Sequence, residues 1–580
     1  MSDQQNVVLA IVLSIIVLLG FQFLYVAPQQ EYLEQQQAVQ EQLAEEQGDG
    51  PTTPSASDAP GAVTSIAEPA VDIVISRAAV IAAAPRIDVV SPLLKGSISL
   101  AGGRIDDITL TAYHDTIDPE SPLITLLSPP GSENAYYADF GWLGPQGSTP
   151  DSNTIWTADR DRLTPETPVT LSWNNGNGLL FTRRLELDEQ YMFTVTQHVV
   201  NHSAEAVELV PYSLISRTGT PTILGYYILH EGPLGVFDGT LKEIDYSDLQ
   251  EGDEDSTKPI QTTGGWLGIT DKYWLVALVP DQSQPFVGRF SHNLRGDSDK
   301  YQVDSLRGAT TVPAGGSIEI TDRVFVGAKV VRMLDGYRDD LGVVNFDLSV
   351  DFGWLYFLTK PIFFAIDYFN DWLGNFGLAI LLLTVLIKAA FFPLANKSYK
   401  AMSKMKKLQP QMAELKEKHG DDKAAMQKDL MALYKEEKIN PASGCLPIVV
   451  QIPVFFALYK VLFVTIEMRH APFFGWVQDL SAPDPTTVFN LFGLIPWTPT
   501  YEFLLIGVWP LIMGGTMWLQ QRLNPQPTDP TQAKIMMMLP IVFTFILARF
   551  PAGLVIYWCW NNVLSIAQQY VIMRKMGVPA

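Results

Sequence analysis

Cysteines, nucleotide-binding loops and metal-binding spacings are scarce or missing in this chain of 580 residues. The two cysteines, Cys445 and Cys559, lie in or beside apolar segments, so the N-terminal half has no disulfide framework. The sequence contains neither GxxxxGKS nor GxxxxGKT, which argues against nucleotide hydrolysis. His198 and His202 have the spacing of a helical metal pair, but they fall in a strand pattern, where four residues cover about 13 Å. We therefore expect no metal site, no cofactor and no enzymatic activity.

Basic residues are also scarce in one part of the chain. Residues 27–350 hold about 46 acidic and about 20 basic side chains, a net charge of roughly −26, whereas the whole chain has a net charge of −22. A uniformly acidic domain is poorly suited to binding nucleic acid, whose affinity comes largely from neutralised phosphates. Direct reading of nucleic acid is therefore excluded.

The N-terminal half divides into three segments by composition. Residues 1–26 include about 20 apolar residues without a charge, which predicts a transmembrane anchor. A cleavable signal peptide is the alternative, but no Lys or Arg precedes the run. Residues 27–70 are rich in Gln, Glu, Pro and Ser and predict a disordered linker. Residues 71–346 contain short alternating stretches, such as 179–187 and 191–200, which predict a large all-β sandwich domain.

The C-terminal half is dominated by apolar runs. Residues 352–370 predict an amphipathic helix at the membrane interface, because Pro361 and Asp367 interrupt the aromatic run. Five further runs predict transmembrane helices two to six, at residues 374–394, 445–467, 502–521, 535–550 and 552–573. With the anchor, this pattern predicts a polytopic α-helical membrane protein with six transmembrane helices.

Basic residues indicate the orientation in the membrane. They concentrate in a predicted helical hairpin at residues 396–440, in the loop 522–534 and in the tail 574–580. Because short cytoplasmic segments are rich in Lys and Arg, both termini are predicted to be cytoplasmic and the β domain to lie on the opposite side. The second, third, fifth and sixth runs contain no Asp or Glu in their apolar cores, which disfavours a proton-coupled transporter.

Polar residues inside the apolar runs are the candidate functional residues. A charge at bilayer depth, such as Lys388, costs about 2.5–3.5 kcal/mol on insertion scales. The other candidates share amide or hydroxyl side chains on helix faces: Thr384, Gln451, Asn561, Asn562, Ser565 and Gln568. Two interpretations stay open on the pattern alone. The residues line a hydrophilic groove, or they form helix–helix hydrogen bonds while Lys388 extends to the cytoplasmic interface.

The predicted hairpin turns near residues 419–422, and its lysines alternate with apolar residues at helical spacing. Its candidate docking residues are Lys404, Lys406, Lys407, Lys416 and Lys418. The hairpin charge either serves only to set the membrane topology or provides a docking surface for anionic lipid, a ribosome or an incoming chain.

Several short motifs, spread in order over the C-terminal half, resemble those of one family. They are Lys404-Met405, Leu408-Gln409-Pro410, Gly420-Asp421-Asp422-Lys423, Met431-Ala432-Leu433-Tyr434-Lys435, Asn440-Pro441, Gly444-Cys445-Leu446-Pro447, Gln451-Ile452-Pro453 and Phe550-Pro551-Ala552-Gly553-Leu554. On these motifs the chain resembles the bacterial membrane protein insertase YidC, in its Gram-negative form with a large periplasmic domain. A weaker signal in the β domain is the stretch 265–274.

This resemblance implies a five-helix insertase core around a hydrophilic groove that is closed on the periplasmic side. Lys388 stands where the family usually has an arginine, so the bidentate fork of a guanidinium is absent. The resemblance also implies substrate contacts at Trp558, Leu446, Pro447, Ile452, Pro453, Met537 and Phe543. The implied partners are nascent membrane proteins, the Sec translocon, the ribosome and the lipid bilayer of the cell inner membrane.

Two other functions remain as alternatives. A channel or transporter would pass a solute through the purified protein in liposomes. A carbohydrate-binding protein acting through the β domain is the second, since such sandwiches commonly bind saccharides. It requires a cleft with paired carboxylates or with a set of His and Glu residues, and the sequence does not identify such a cleft.

Overall fold

The computed structural model describes residues 76–223, 228–296, 298–420, 422–437, 446–495, 497, 505–524 and 530–577. The predicted anchor at 1–26 and the linker at 27–70 lie outside these residues. Of the described residues, 404–420 and 422–437 belong to one compact unit, and all the others belong to a second.

In the part of the chain that the structure describes, the strands lie between residues 86 and 328 and pair almost entirely in antiparallel fashion. In the described residues the strands are β1 (Arg86–Val90), β2 (Leu94–Ser99), β3 (Ile105–His114), β4 (Leu123–Leu127), β5 (Tyr136–Leu143), β6 (Thr157–Ala158), β7 (Arg162–Leu163), β8 (Val169–Asn174), β9 (Leu179–Leu187), β10 (Met192–Asn201), β11 (Val207–Thr218), β12 (Gly232–Phe237), β13 (Thr240–Glu243), β14 (Ile260–Thr263), β15 (Gly265–Thr270), β16 (Trp274–Val279), β17 (Pro285–Arg295), β18 (Ser298–Leu306), β19 (Thr310–Val312) and β20 (Ser317–Ala328).

These strands form two large sheets. The first runs β14-β17-β18-β11-β5-β3-β2-β1-β7, with β19 beside β11 and β4 beside β3. The second runs β13-β12-β15-β16-β20-β10-β9-β8-β6. Large apolar side chains such as Phe140 and Trp266 are buried in the core, and the hydroxyl of Tyr136 on the first sheet donates to the backbone oxygen of Ile269 on the second at 3.2 Å. The predicted all-β sandwich is confirmed.

The hairpin of β9 and β10 shows why the sequence forms strands here. Side chains alternate between buried and less buried along both strands, because successive residues of a strand point to opposite faces. Asp188 closes the turn, since its Oδ1 accepts from the backbone nitrogens of Gln190 at 2.9 Å and Met192 at 3.0 Å. His198 lies in β10, as predicted, and His202 follows the strand.

The helices lie mostly after the sandwich. In the described residues they are α1 (Arg77–Ala83), α2 (Tyr246–Glu251), α3 (Glu254–Thr257), α4 (Val331–Asp340), α5 (Tyr356–Leu373), α6 (Phe376–Ala390), α7 (Phe392–Lys407), α8 (Gln409–His419), α9 (Lys423–Glu436), α10 (Leu446–Val464), α11 (Val508–Leu523), α12 (Pro530–Leu547) and α13 (Ala552–Lys575). Short 3-10 turns cover Phe346–Ser349, Ile466–Met468 and Val488–Gly493.

The predicted second membrane helix is interrupted by a bend. The chain turns by 69° between α6 and α7, at Phe391. Pro393 follows in the first turn of α7, where a proline needs no hydrogen-bond partner for its nitrogen. In the described part of the chain, no single helix combines the length and apolar character of a membrane span, whereas the bent pair of α6 and α7 does so jointly.

Helix α5 corresponds to the predicted interfacial helix. One side packs on the rest of the protein through Ile362, Phe363 and Ile366, which are buried. The other side is uncovered. Trp372 on this side is 74% exposed, and Trp354, just before the helix, is 79% exposed. The helix is therefore amphipathic, with aromatic side chains on its uncovered face.

The smaller unit is a helical hairpin formed mainly by α8 and α9. Leu408, Met412 and Tyr434 form its buried centre, with Met405, Leu430 and Leu433 packed around them. At the turn, Asp422 accepts from the backbone nitrogen of Ala425 at 3.0 Å and caps α9. Helices α8 and α9 therefore pack together on either side of the predicted turn near residues 419–422.

Candidate functional site

A polar cleft lies where α6 bends into α7. It is lined by Ile387, Lys388, Phe391, Leu394, Ala395, Tyr399, Val450, Gln451 and Val454. The bend carries the first turns of α7 away from the line of α6, so residues before and after Phe391 face α10 across the cleft. A lysine, a glutamine and a tyrosine thus face a cleft whose other lining residues are apolar.

The ammonium group of Lys388 points from α6 towards α13. Its Nζ donates to Ser565 Oγ at 2.7 Å, and Ser565 Oγ donates to the backbone oxygen of Asn561 at 2.8 Å. Among the described side chains, no carboxylate pairs with this ammonium group. The cation therefore has a neutral partner and keeps its capacity to attract an anionic group.

Three buried amide atoms on α13 have no hydrogen-bond partner among the described residues. They are Asn561 Oδ1, Gln568 Nε2 and Gln569 Oε1. Buried polar atoms are normally satisfied by protein or by ordered water. Because leaving such groups unpaired costs about 1–3 kcal/mol each, this face of α13 requires water or another polar ligand.

Thr384 and Asn562 do not line the cleft, although the sequence pattern grouped them with Lys388. Thr384 Oγ1 donates to the backbone oxygen of Ile380 in its own helix at 2.7 Å. Asn562 Nδ2 donates to Thr516 Oγ1 of α11 at 3.1 Å. Both side chains are buried and satisfied inside the bundle. Asn562 follows Asn561 by one position, a rotation of about 100° around the helix, and therefore faces a different partner.

Gln451 forms the wall opposite Lys388. Its side-chain nitrogen donates to the hydroxyl of Tyr557, which is buried on α13. This hydrogen bond joins α10 to α13 and fixes the orientation of the glutamine. The third and sixth predicted membrane helices are thus connected through a polar contact at the cleft.

Two of the predicted substrate-contact residues, Trp558 and Phe543, belong to an aromatic cluster. Trp558 packs edge-on against Phe455 of α10, with ring centroids 4.8 Å apart. Its ring centroid lies 6.0 Å from that of Phe543 of α12. Ile452 on α10 is 48% exposed and Met537 on α12 is 62% exposed. The side chain of Pro453 is half-buried in α10, whereas those of Leu446 and Pro447 lie outside the described part of the structure.

Residues 466–484, here called the cap loop, cover the end of the helical bundle opposite Lys388. Asp484 Oδ2 accepts from the backbone nitrogen of Trp509 in the first turn of α11 at 2.9 Å. The backbone oxygen of Leu480 accepts from the nitrogen of Gly553 in α13 at 3.0 Å. The nitrogens at a helix start lack intrahelical partners, so the cap loop stabilises both starts.

Sequence reasoning missed two features of this region. Asp484, buried within the cap loop, is an acidic residue between two prolines, Pro483 and Pro485, and nothing in that local pattern indicates the remote helix that it caps. Lys460 is a second lysine in an apolar run, so the signal that drew attention to Lys388 was present there as well. Its contacts lie outside the cleft.

In the hairpin unit, the predicted docking lysines lie at the surface. Lys404, Lys407, Lys416 and Lys418 are exposed, and Lys406 is half-buried. His419 Nε2 lies 2.9 Å from Asp429 Oδ2 near the turn, which joins the two helices at that end. The hairpin therefore presents a basic surface on a small packed unit.

Comparisons with known proteins cover the whole described chain. Residues 86–365 match the model of the YidC periplasmic domain, and residues 368–578 match the model of the 60Kd inner membrane protein. The membrane protein insertase YidC of Beijerinckia indica is 51% identical over 99% of this chain and 96% of its own length. That of Nitrobacter hamburgensis is also 51% identical, over 100% of this chain and 96% of its own length.

A crystal structure described as an active YidC insertase with the first transmembrane domain resolved covers 84% of this chain and 92% of its own, at 18% identity and a TM-score of 0.36. None of these descriptions denotes a catalytic activity. The resemblance seen in the sequence motifs is confirmed by the family models and by relatives that match almost end to end. The chain belongs to the family of the membrane protein insertase YidC, bacterial inner-membrane proteins with a large periplasmic domain.

Proposed function

We propose that the chain inserts and helps to fold inner-membrane proteins through the polar cleft beside Lys388, alone or with the Sec translocon. One observation carries the proposal. Among the residues that the structure describes, Lys388 has one hydrogen-bond partner, the neutral Ser565, next to the unsatisfied amides of Asn561 and Gln568. Polar groups in this state bind water or polar peptide, which is what a hydrophilic client segment needs when it enters the membrane.

The cleft lowers the cost of moving a polar segment, and the client itself supplies the driving force. Apolar client surface that leaves the cleft for lipid gains about 25 cal/mol per Å². The exposed apolar residues of α10 and α12 beside Trp558 provide the route by which such a segment reaches lipid. No nucleotide is required for this step.

The proposed topology has six transmembrane helices, with both termini in the cytoplasm. Basic residues support it, because Arg522 ends α11 while Arg574 and Lys575 end α13, as expected of cytoplasmic helix ends. Helix α13 has 24 residues, which span about 36 Å at 1.5 Å per residue. Its row of amide side chains makes α13 less apolar than an ordinary membrane-spanning helix of this length.

Helix α5 is proposed to lie along the periplasmic surface of the inner membrane. Phe357, Tyr368 and Trp372 share its uncovered side, and Trp354 lies just before the helix. These four side chains are between 67% and 79% exposed. Tryptophan and tyrosine are enriched where hydrocarbon meets headgroups. On the packed side, Lys360 Nζ lies 2.7 Å from a carboxylate oxygen of Asp347 and holds the helix to the periplasmic domain.

The basic hairpin is proposed to receive clients in the cytoplasm. Its exposed lysines fit an anionic surface such as ribosomal RNA or phospholipid headgroups, which attract clusters of lysine by about 1 kcal/mol per residue near a membrane. The chain would bind the ribosome there through phosphate charge, without reading a nucleic-acid sequence.

The test compares two single-span clients that differ only in the translocated tail, which is acidic in one and has Asn and Gln in the other. With Lys388→Leu, insertion of the acidic-tailed client into proteoliposomes should fall several-fold, whereas insertion of the neutral-tailed client should change little. Lys388→Arg should keep both activities because it keeps the charge.

Ser565→Ala serves as the matched control, since it removes the hydrogen bond and leaves the charge in place. An equal loss for both clients, or no loss for either, contradicts the proposed role of Lys388. Folding of each variant is checked by its elution volume in size-exclusion chromatography and by its resistance to protease.

A further inference from the structure

The last turns of α10 carry Lys460, whose ammonium group is held by the periplasmic domain and by the segment before α5. Nζ lies 2.8 Å from Asp351 Oδ1 and donates to the backbone oxygen of Asp351 at 3.1 Å. It also donates to the backbone oxygen of Ile228, in the connection between β11 and β12. Three acceptors around one ammonium group match its three N–H donors.

The surroundings of Lys460 are shaped for this contact. The lysine side chain is 15% exposed, and that of Asp351 is 20% exposed. Gly353 has a φ of +70°, and a Cβ atom there would lie 2.9 Å from Lys460 Cε. The backbone nitrogen of His230 donates to Asp351 Oδ2 at 3.3 Å, so the carboxylate joins the lysine to the sandwich.

Two further contacts hold the same end of α10. The ammonium group of Lys272, in the turn between β15 and β16, lies 3.8 Å from the ring centroid of Phe463. Glu467, just beyond α10, accepts from the backbone nitrogen of Val331 at 2.9 Å, at the start of α4. The stretch 265–274, noted in the sequence only as a family motif, therefore reaches the helical bundle at its last residues.

Helix α12, on the other side of Trp558, is held differently. It approaches α11 closely where a Cβ on Gly514 would lie 2.1 Å from Thr544 Oγ1. Its outer face is uncovered by protein, since Ile541, Phe545 and Ile546 are each more than half exposed. The two helices that flank Trp558 both expose apolar residues, but α10 is also fastened at its end to the periplasmic domain through Lys460.

We propose that Lys460 and Asp351 are positioning residues that fasten the periplasmic end of α10, so that α10 stays in place while α12 moves to admit a client helix. This inference rests on the proposed function, because it assigns the fixed and the moving side of the same client route. The client is an apolar helix that enters lipid between α10 and α12.

The test measures helix positions directly, in the full chain in lipid nanodiscs. Pulsed electron paramagnetic resonance gives the distance between nitroxides at Phe456 of α10 and Val563 of α13, both exposed. A second pair joins Val542 of α12 to Val563. We expect a narrow distribution for the first pair and a broader one for the second. Lys460→Met should broaden the first pair alone.

Insertion of a single-span client should fall several-fold in Lys460→Met and should be restored in Lys460→Arg, which keeps the charge. Lys95→Met is the matched control, because Lys95 is an exposed lysine on β2. Where Lys460→Met fails to fold, Asp351→Asn replaces it, since the amide keeps the shape and removes the charge. An unchanged first pair, or an unchanged rate of insertion, overturns the inference.

The outcome is separable from that of the Lys388 experiment. Broadening of the α10 pair together with no effect of Lys388→Leu on insertion would refute the proposed role of the cleft and support the fastening of α10. A narrow α10 pair in Lys460→Met together with a selective Lys388 effect would refute the fastening and leave the cleft supported.

Discussion

Replacing Asp484 by alanine should loosen the start of α11, because one carboxylate accepts four hydrogen bonds there. Oδ2 accepts from the backbone nitrogen of Trp509 at 2.9 Å, and Oδ1 accepts from the indole nitrogen of Trp476 at 3.1 Å. Oδ1 also accepts from the backbone nitrogen and the hydroxyl of Thr486, at 3.0 and 2.7 Å. Losing a helix cap costs about 0.5–2 kcal/mol. The backbone nitrogen of Thr486, a buried residue, also loses its acceptor, which adds about 1–3 kcal/mol, so we expect about 2–4 kcal/mol.

Cys559 provides the assay, because it is buried and its Sγ donates to the backbone oxygen of Trp509 at 3.6 Å. With Cys445 replaced by alanine, the rate of thiol labelling reports how often α11 and α13 separate. Since 1.4 kcal/mol corresponds to a factor of ten, Asp484→Ala should accelerate labelling at least about 20-fold. Asp479→Ala is the control, because Asp479 accepts from Ser481 in the same loop and caps no helix. Equal labelling rates in the two variants would refute the reasoning.

Three further predictions follow from packing and burial. Gly514→Ala should lower the thermal stability of the full chain in detergent, because a Cβ there meets Thr544 Oγ1 at 2.1 Å, whereas Gly515→Ala should be neutral or stabilising, since a Cβ there meets nothing within 4 Å. Arg183→Leu should lower the free energy of unfolding by about 2–4 kcal/mol in denaturant titrations, because the buried guanidinium donates to the backbone oxygens of Gly103 and Phe140. Burial lowers the pKa of Lys329 from 10.5 to about 8, so the unfolded chain holds this proton at higher pH than the folded chain does. The free energy of unfolding should therefore rise between pH 8 and pH 10.5, by up to about 3 kcal/mol, and Lys329→Met should remove that rise.

The sandwich was predictable because its signal is local. In β9 and β10 the alternation of buried and less buried side chains follows the alternation of residue types in the sequence. Asp188 closes the turn from within it. The same holds for the hairpin of α8 and α9, where Met405, Leu408, Leu430 and Leu433 recur at helical spacing and meet in its centre. Local period and turn chemistry were sufficient for both.

Helix starts and side-chain partners depend on remote residues and were predicted less well. The fourth predicted membrane helix was placed at residues 502–521, whereas α11 begins at Val508, because Asp484 and Thr486 in a distant loop cap it there. Asn562 follows Asn561 in sequence but faces α11, which only the packing of the helices decides. The attachment of Lys460 to Ile228 joins residues far apart in sequence, which periodicity cannot indicate.

The three consecutive methionines of α12 give the proposed client route a border that can contact many different apolar sequences. Met537 and Met538 are exposed, and Met536 is 36% exposed, so their unbranched side chains can adopt new rotamers against different neighbours. A border of this kind discriminates poorly between one apolar sequence and another. Selection among clients would then depend on the distribution of their charges and on the length of their apolar segments. Proteins without a shared sequence motif could therefore use one insertase.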